Sequence, residues 1–346
     1  METVTLENAS PPFFVGVDVG GTSIKVGIVD NEGKTVGYSS FPTESDLGPE
    51  LAILQIHDTI EALAGTTTIP LSDIVQIGLG TPGTMDIPNG MIVEPSNLPS
   101  WRHFPIRDEL ARVTEKPVTY ANDANAAAFG EFWIGSGKKH KSIVMLTLGT
   151  GVGGGIILDG QSLDGETSHG GECGHVMVDS SPDARMCSCG RRGHLEAYAS
   201  ATAIIQRCEE ALLSGEPSSL ANILARDEKI NGLAIAKAAE AGDELANRLV
   251  IETADYLARG ASIFMNTIDP SAVLLGGAMN FGSEKKPVGK MFIDRVREKC
   301  KELALPIVAK NVVIEFASLK GDAGYIGAAG LAREEFYRAK QFEFAK

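Results

Sequence analysis

No apolar run in this chain approaches the roughly 20 residues that cross a bilayer as a helix, which excludes a membrane-spanning segment of that kind. Positive charge is also short, with 31 Lys and Arg against 45 Asp and Glu and a formal net charge of −14. That balance argues against nucleic acid or a membrane surface as the main partner, although a nucleotide needs only a local positive or dipolar site. Low-complexity segments and solenoid periods are missing. Met1 to Pro12 lack the basic and apolar regions of a secretion signal and read as a short disordered tail, which points to the cytoplasm. Cysteines number five, an odd count without a signal segment, so reduced thiols or metal ligands are expected and a disulfide framework is not.

What remains is the composition of an ordinary globular protein, 43% hydrophobic and 22% charged over 346 residues, enough for two domains with ample core. A hairpin is expected over about 13–40, a helix from Leu51 to Leu63, a buried strand from Ile74 to Leu79 and a turn at Gly80-Thr81-Pro82-Gly83. Val118-Thr119-Tyr120 is a short strand running into Asn122-Asp123, and Ala124 to Phe132 is strongly helix-forming. A second hairpin opens near 140, an irregular Gly- and Cys-rich stretch fills about 160–193, and helices dominate from His194 to Thr267. Strands at Val273–Gly277 and Val312–Phe316 precede a long last helix. The alternation gives an α/β class with two lobes and a cleft between them. The first lobe is set at about 13–137, completed by the C-terminal helix at about 322–342, and the second at about 138–321.

One device occurs twice. Phe14-Val15-Gly16-Val17-Asp18-Val19-Gly20-Gly21-Thr22 and Val144-Met145-Leu146-Thr147-Leu148-Gly149-Thr150-Gly151-Val152-Gly153-Gly154-Gly155 each run an apolar strand into a glycine turn. Glycine lets backbone N–H groups approach a bulky anion, and two such turns can grip a polyphosphate from both sides. Asp18 is suited to hold Mg²⁺ or its water shell beside the phosphates, and Thr22 offers a hydroxyl and an N–H. Lys25 faces either the nucleotide or solvent. Neither turn has Rossmann or Walker spacing, so the nucleotide reading rests on the duplication.

Asn122-Asp123 stands where a strand ends and a helix begins. An Asp there is commonly an N-cap, and otherwise a general base taking a hydroxyl proton during phosphoryl transfer. Farther on, His175 with Cys187, Cys189 and His194 supplies four donors for a tetrahedral zinc. Four protein ligands leave no open position, so the ion would be structural. Glu172 and Glu196 flank those donors and suit a polyhydroxylated substrate, while His175 can bind metal through one ring nitrogen and serve substrate with the other.

Asp18-Val19-Gly20-Gly21-Thr22, Asn122-Asp123-Ala124-Asn125-Ala126-Ala127, Leu148 to Gly155, Glu172-Cys173-Gly174-His175 and the cysteine loop together resemble the ROK family, and within it the bacterial glucokinases. The resemblance runs from Phe13 to the last helix. It implies a two-lobed actin-like ATPase (ribonuclease H-like) sugar kinase fold and ATP-dependent phosphorylation of a hexose 6-hydroxyl. Asp123 is then the general base. Asn122, Asp123, Glu172, His175 and Glu196 hold sugar hydroxyls, with Gly83 at the pocket edge. Phosphates lie on the turns at Gly20, Gly21 and Thr22 and at Gly149, Thr150, Gly151 and Gly153, with Asp18 beside them in the nucleotide site, and adenosine lies near Gly276-Gly277. The family's third loop cysteine is His194 here, so a two-His, two-Cys site is expected. A homodimer or homotetramer is implied, without choosing between them. Rival substrates are N-acetylmannosamine, N-acetylglucosamine, fructose and allose, and polyphosphate is the rival donor. The family's repressors carry a winged-helix domain ahead of the first turn, for which Asp18 stands too near the start.

Overall fold

The first apolar run folds as β1 (Phe13–Val19), in which every residue but Asp18 is buried. A strand covered on both faces needs such a continuous run. It pairs antiparallel with β2 (Ser23–Val29), which pairs antiparallel with β3 (Thr35–Pro42). After α1 (Pro49–Thr67), β4 (Ile74–Thr81) returns parallel to β1. A small hairpin of β5 (Thr84–Asp86) and β6 (Met91–Glu94) and α2 (Ile106–Thr114) then lead to β7 (Val118–Asn122), parallel to β4, and to α3 (Asp123–Trp133). The strand order of this sheet is β3-β2-β1-β4-β7.

The second sheet repeats the plan. It begins with β8 (Ile143–Leu148), β9 (Val152–Leu158) and the short β10 (Gln161–Ser162). Helices follow: α4 (Glu196–Ala199), α5 (Ala201–Leu213), α6 (Ala221–Leu224), α7 (Gly232–Glu240) and α8 (Glu244–Ile268). Next, β11 (Ala272–Gly276) lies parallel to β8, and after α9 (Pro287–Leu303) and α10 (Pro306–Asn311), β12 (Val313–Phe316) lies parallel to β11. Its order, β10-β9-β8-β11-β12, matches the first sheet strand for strand. The glycine turn that recurs in the sequence therefore belongs to a recurring sheet. The chain ends in α11 (Ala323–Phe344).

This computed structural model describes residues 3–95 and 97–344. Its contacts divide the chain into two units: the segments up to Lys139, Gly155–Gly171 and from Gly321 onward form one, and His140–Gly154 with Glu172–Lys320 form the other. Gly155–Gly171 joins the first unit because β9 meets α3 there. A Cβ on Gly155 would stand 2.5 Å from the Ala128 Cβ, and Asn125 Nδ2 donates to Asp164 Oδ1 at 3.3 Å and Gly170 O at 3.4 Å. Residues 3–12 are not the disordered tail expected. Val4 N donates to Thr35 O at 2.9 Å, Ser10 N to the buried Asp30 carboxylate at 2.9 Å, and Asn31 N to Ser10 O at 2.8 Å. The segment is pinned through its backbone, by Thr35, Asn31 and the Asp30 carboxylate. No helix among the described residues is long and apolar enough to cross a membrane.

In the first unit α11 lies directly on strand backbone. A Cβ on Gly16 of β1 would come within 1.7 Å of Tyr325 O, and one on Gly78 of β4 within 1.8 Å of Ala328 O. On the helix's other side, a Cβ on Gly327 would come within 1.6 Å of Ala126 O in α3. These neighbours are backbone atoms, which cannot swing aside as a side chain tip can. Gly78→Ala is therefore expected to destabilise the protein by about 1–3 kcal/mol or more. Gly65→Ala, in α1 with nothing within 4 Å of the added atom, is expected to be neutral or to gain up to about 1 kcal/mol. Urea denaturation of the two variants checks both.

Candidate functional site

In the first unit the turn between β1 and β2 closes with Gly20 N donating to Ser23 O at 3.0 Å. Thr43, just past β3, braces it: its hydroxyl donates to Gly20 O at 2.6 Å and its N–H to Thr22 O at 3.1 Å. Gly21 and Thr22 form the exposed tip. Asp18 faces Lys25 across the hairpin, and the ammonium lies 3.2 Å from Asp18 Oδ2 while donating to Gly321 O at 2.7 Å. Lys25, half-buried, is thus the counter-ion of Asp18. The carboxylate also abuts the start of α11, where a Cβ on Gly324 would stand 2.5 Å from Asp18 Cγ. A helix N-terminus favours a negative charge there.

Parallel pairing of Thr81 with Asn122 brings β4 and β7 to an end side by side, with the Gly83 turn following β4. Asn122 is the N-cap of α3: its Oδ1 accepts from Ala124 N at 2.9 Å and Asn125 N at 3.3 Å. Asp123 is the first helical residue, half-buried, with Oδ1 accepting from Ala124 N at 2.8 Å. The cap that could have accounted for Asp123 is supplied by its neighbour. Behind them the buried Tyr120 hydroxyl pairs with Thr81 Oγ1 at 2.8 Å. Burial, and to a lesser degree the charge of Asp123, hold that phenol above its ordinary range. Burial also raises the carboxyl of Asp164, against the donors Ser162 and Asn125.

In the second unit, the β8–β9 turn closes with Gly149 N donating to Gly151 O at 3.0 Å. The start of α5 braces it through Ala201 N to Gly149 O at 2.8 Å and Thr202 Oγ1 to Thr150 O at 2.7 Å. Gly153 lies beyond the turn, inside β9. Beside the turn is a cavity of about 500 Å³ lined by Gly149, Thr150, Ala201, Leu233, Ala278 and Asn280 among others. Gly276 and Gly277 do not line it. Gly276 ends β11 with Met145 Cε where a Cβ would go, and Gly277, at φ 89°, lies on the backbone of Leu148. The cavity walls come from the residues just past them and from α7, which sequence reasoning missed. No local motif marks α7; only the chain's return to the turn does.

The cysteine loop brings together the four donors expected of it. The ligand atoms of His175, Cys187, Cys189 and His194 all lie within 4.8 Å of one another. The two Nδ1 atoms are 3.3 Å apart, Cys187 Sγ is 3.7 Å from His175 Nδ1, and Cys189 Sγ is 3.2 Å from His194 Nδ1. A tetrahedral zinc shell puts N–N pairs about 3.3 Å and N–S pairs about 3.6 Å apart, so the donors fit such an ion. Burial raises the Cys187 thiol to about 11, and burial followed by the neighbouring His175 lowers His194. Cys173 stays out of the cluster, buried one turn away. His175 turns its other nitrogen toward Glu172, with Nε2 3.7 Å from Oε2. Glu196, which opens α4, reaches back to the glycine turn: Oε2 accepts from Val152 N at 3.1 Å and Oε1 from Ser188 Oγ at 2.6 Å.

The ROK family profile matches residues 14–335. The glucokinase of Thermotoga maritima is 36% identical over 92% of this chain and 97% of its own length. Among solved structures, the ROK hexokinase of Thermus thermophilus is 30% identical with a TM-score of 0.78, covering 94% of this chain and 99% of that one. A ROK glucokinase from Streptomyces griseus in complex with glucose and AMPPNP is 32% identical with a TM-score of 0.74, covering 93% and 99%.

Asn122→Ala is expected to cost about 0.5–2 kcal/mol of stability through the lost cap. Asp123→Asn is expected to leave stability nearly unchanged. Thermal unfolding of both separates the cap from its neighbour.

Proposed function

The chain belongs to the ROK family, and from that we propose that it is an ATP-dependent glucokinase, transferring the γ-phosphoryl group of ATP to the 6-hydroxyl of glucose. The proton of that hydroxyl passes to Asp123 as the O–P bond forms and the bond to the ADP leaving oxygen breaks. The observation that supports the role of Asp123 is the capping of α3 by the neutral Asn122, which leaves Asp123, the one acidic residue of the first turn, as the carboxylate at the end of β7. Phosphoryl transfer to an alcohol needs in-line positioning and a proton acceptor more than covalent chemistry, and a carboxylate at a helix start meets the second need.

Around that reaction the residues divide as follows. Asn122 and Asp123, with the Gly83 turn, serve the sugar in the first unit; Glu172, His175 and Glu196 serve it in the second. The turns at Gly20–Thr22 and Gly149–Gly151 hold phosphates, and the cavity walled by Leu233, Ala278 and Asn280 takes the nucleoside. Mg²⁺ would accompany the phosphates beside Asp18, whose carboxylate already carries the Lys25 ammonium. The Cys–His cluster would hold a structural Zn²⁺ that fixes the loop and supplies no reaction chemistry.

An ADP-release assay with Mg–ATP tests the reading against glucose, mannose, fructose, N-acetylglucosamine and N-acetylmannosamine. Glucose is expected to turn over fastest, and Asp123→Asn to lower kcat roughly 10²-fold or more with both KM values little changed. Turnover confined to an acetamido sugar would replace the substrate, and an active Asp123→Asn enzyme would remove Asp123 from proton transfer. For the metal, Cys189→Ser is expected to lower bound zinc and raise the glucose KM together. Unchanged glucose affinity in a zinc-free Cys189→Ser protein would separate the loop from the sugar site.

A further inference from the structure

The Cys-x-Cys segment contains a residue that is neither one of the four metal donors nor part of the glycine turns, although its Oγ lies 3.9 Å from Cys187 Sγ. Ser188, between the two thiols, is exposed, yet its hydroxyl donates to Glu196 Oε1 at 2.6 Å. Such a short bond from a hydroxyl to a carboxylate is charge-assisted. The segment holding Ser188 is itself fixed: Cys187 N donates to Arg191 O at 2.8 Å, and Gly190 N to Cys187 O at 3.0 Å. The other oxygen of Glu196 is held by Val152 N at 3.1 Å. A Cβ on Gly151 would stand 2.2 Å from that oxygen, so the carboxylate fills the space beside the turn. Glu196 is therefore clamped between a hydroxyl from the cysteine loop and an N–H from the strand after the phosphate turn. A long side chain held by two fixed donors presents its remaining lone pairs in one direction and loses little rotamer freedom on binding.

We propose that Ser188 is a positioning residue for the sugar: it orients Glu196, so that the cysteine loop sets hexose affinity through a hydrogen bond as well as through its metal. The inference rests on the reading of Glu196 as a sugar ligand. Without the hydroxyl, Glu196 keeps its backbone donor and the weak contact of Cys187 Sγ with Oε1 at 3.7 Å, but gains a rotation that glucose must then quench.

The test measures glucose KM, ATP KM, kcat and zinc content for Ser188→Ala, Ser188→Thr, Glu196→Gln and the double variant Ser188→Ala/Glu196→Gln. Expected are a glucose KM raised roughly 3- to 10-fold in Ser188→Ala with ATP KM, kcat and zinc held, recovery in Ser188→Thr, and no further rise in the double variant over Glu196→Gln. A glucose KM unchanged in Ser188→Ala but raised in Glu196→Gln overturns the role of Ser188 and leaves that of Glu196. A glucose KM unchanged in both overturns the reading of Glu196 and the inference with it. Zinc loss in Ser188→Ala, or additive effects in the double variant, assigns the hydroxyl to the loop alone and also overturns it.

Discussion

Backbone meeting backbone is the constraint on which the first unit depends. At Gly16 and Gly78 the strands come so close to α11 that a single methyl group would overlap its carbonyl oxygens, and at Gly327 the helix comes as close to α3. This proximity sets where α11 begins, and its start is what Asp18 and Gly324 share. It also holds α3 against α11, which fixes the height at which Asn122 and Asp123 leave β7. Interiors packed at this density transmit a displacement instead of absorbing it. The first glycine turn and the proposed base thus rest partly on glycines that have no side chain at all, beside the Thr43 and Asn122 hydrogen bonds.

The parts of the site legible in the sequence were those written locally. Two glycine turns after apolar strands became two hairpins, and Cys187-Ser188-Cys189 with two histidines became a cluster of four donors. Even the Asp18–Lys25 pair left a signal: a hairpin centred on Gly21-Thr22 sets those residues opposite each other, with opposite charges. What was hidden depended on register or on distant return. Asn and Asp are equally good caps, and only the pairing of Thr81 with Asn122 decides which of the two ends β7 and which enters α3. The cavity beside Gly149 takes its walls from α7 and from residues past Gly277, brought there by long helices without motif. Gly276 and Gly277 pack against Met145 and Leu148, and the cavity wall begins at the next residue, Ala278, a placement that composition cannot express.

In the second unit one carboxylate links the glycine turn to the cysteine loop. Glu196 opens α4, touches the strand that leaves the phosphate turn and takes a hydroxyl from the cysteine loop. A loop with little regular structure of its own gains rigidity from closure around its donors and from this contact, and the same side chain makes the rigidity useful. The arrangement gives a physical reason for the proposed structural zinc: acceptors for a sugar must be fixed before the sugar arrives, or their ordering weakens binding.

The path of the chain has a consequence during synthesis. It passes from one unit to the other at residues 139/140, 154/155, 171/172 and 320/321, so neither unit is a continuous stretch. The first sheet leaves the ribosome early, but the helix that fits onto Gly16 and Gly78 comes last. Until that helix emerges the glycine-floored face has no cover, and a nascent chain that stops short of Ala323 lacks the element that completes its first fold. For this protein, vectorial folding from the N-terminus cannot complete the first unit before α11 is made, and a stop ahead of Ala323 removes a keystone of the beginning.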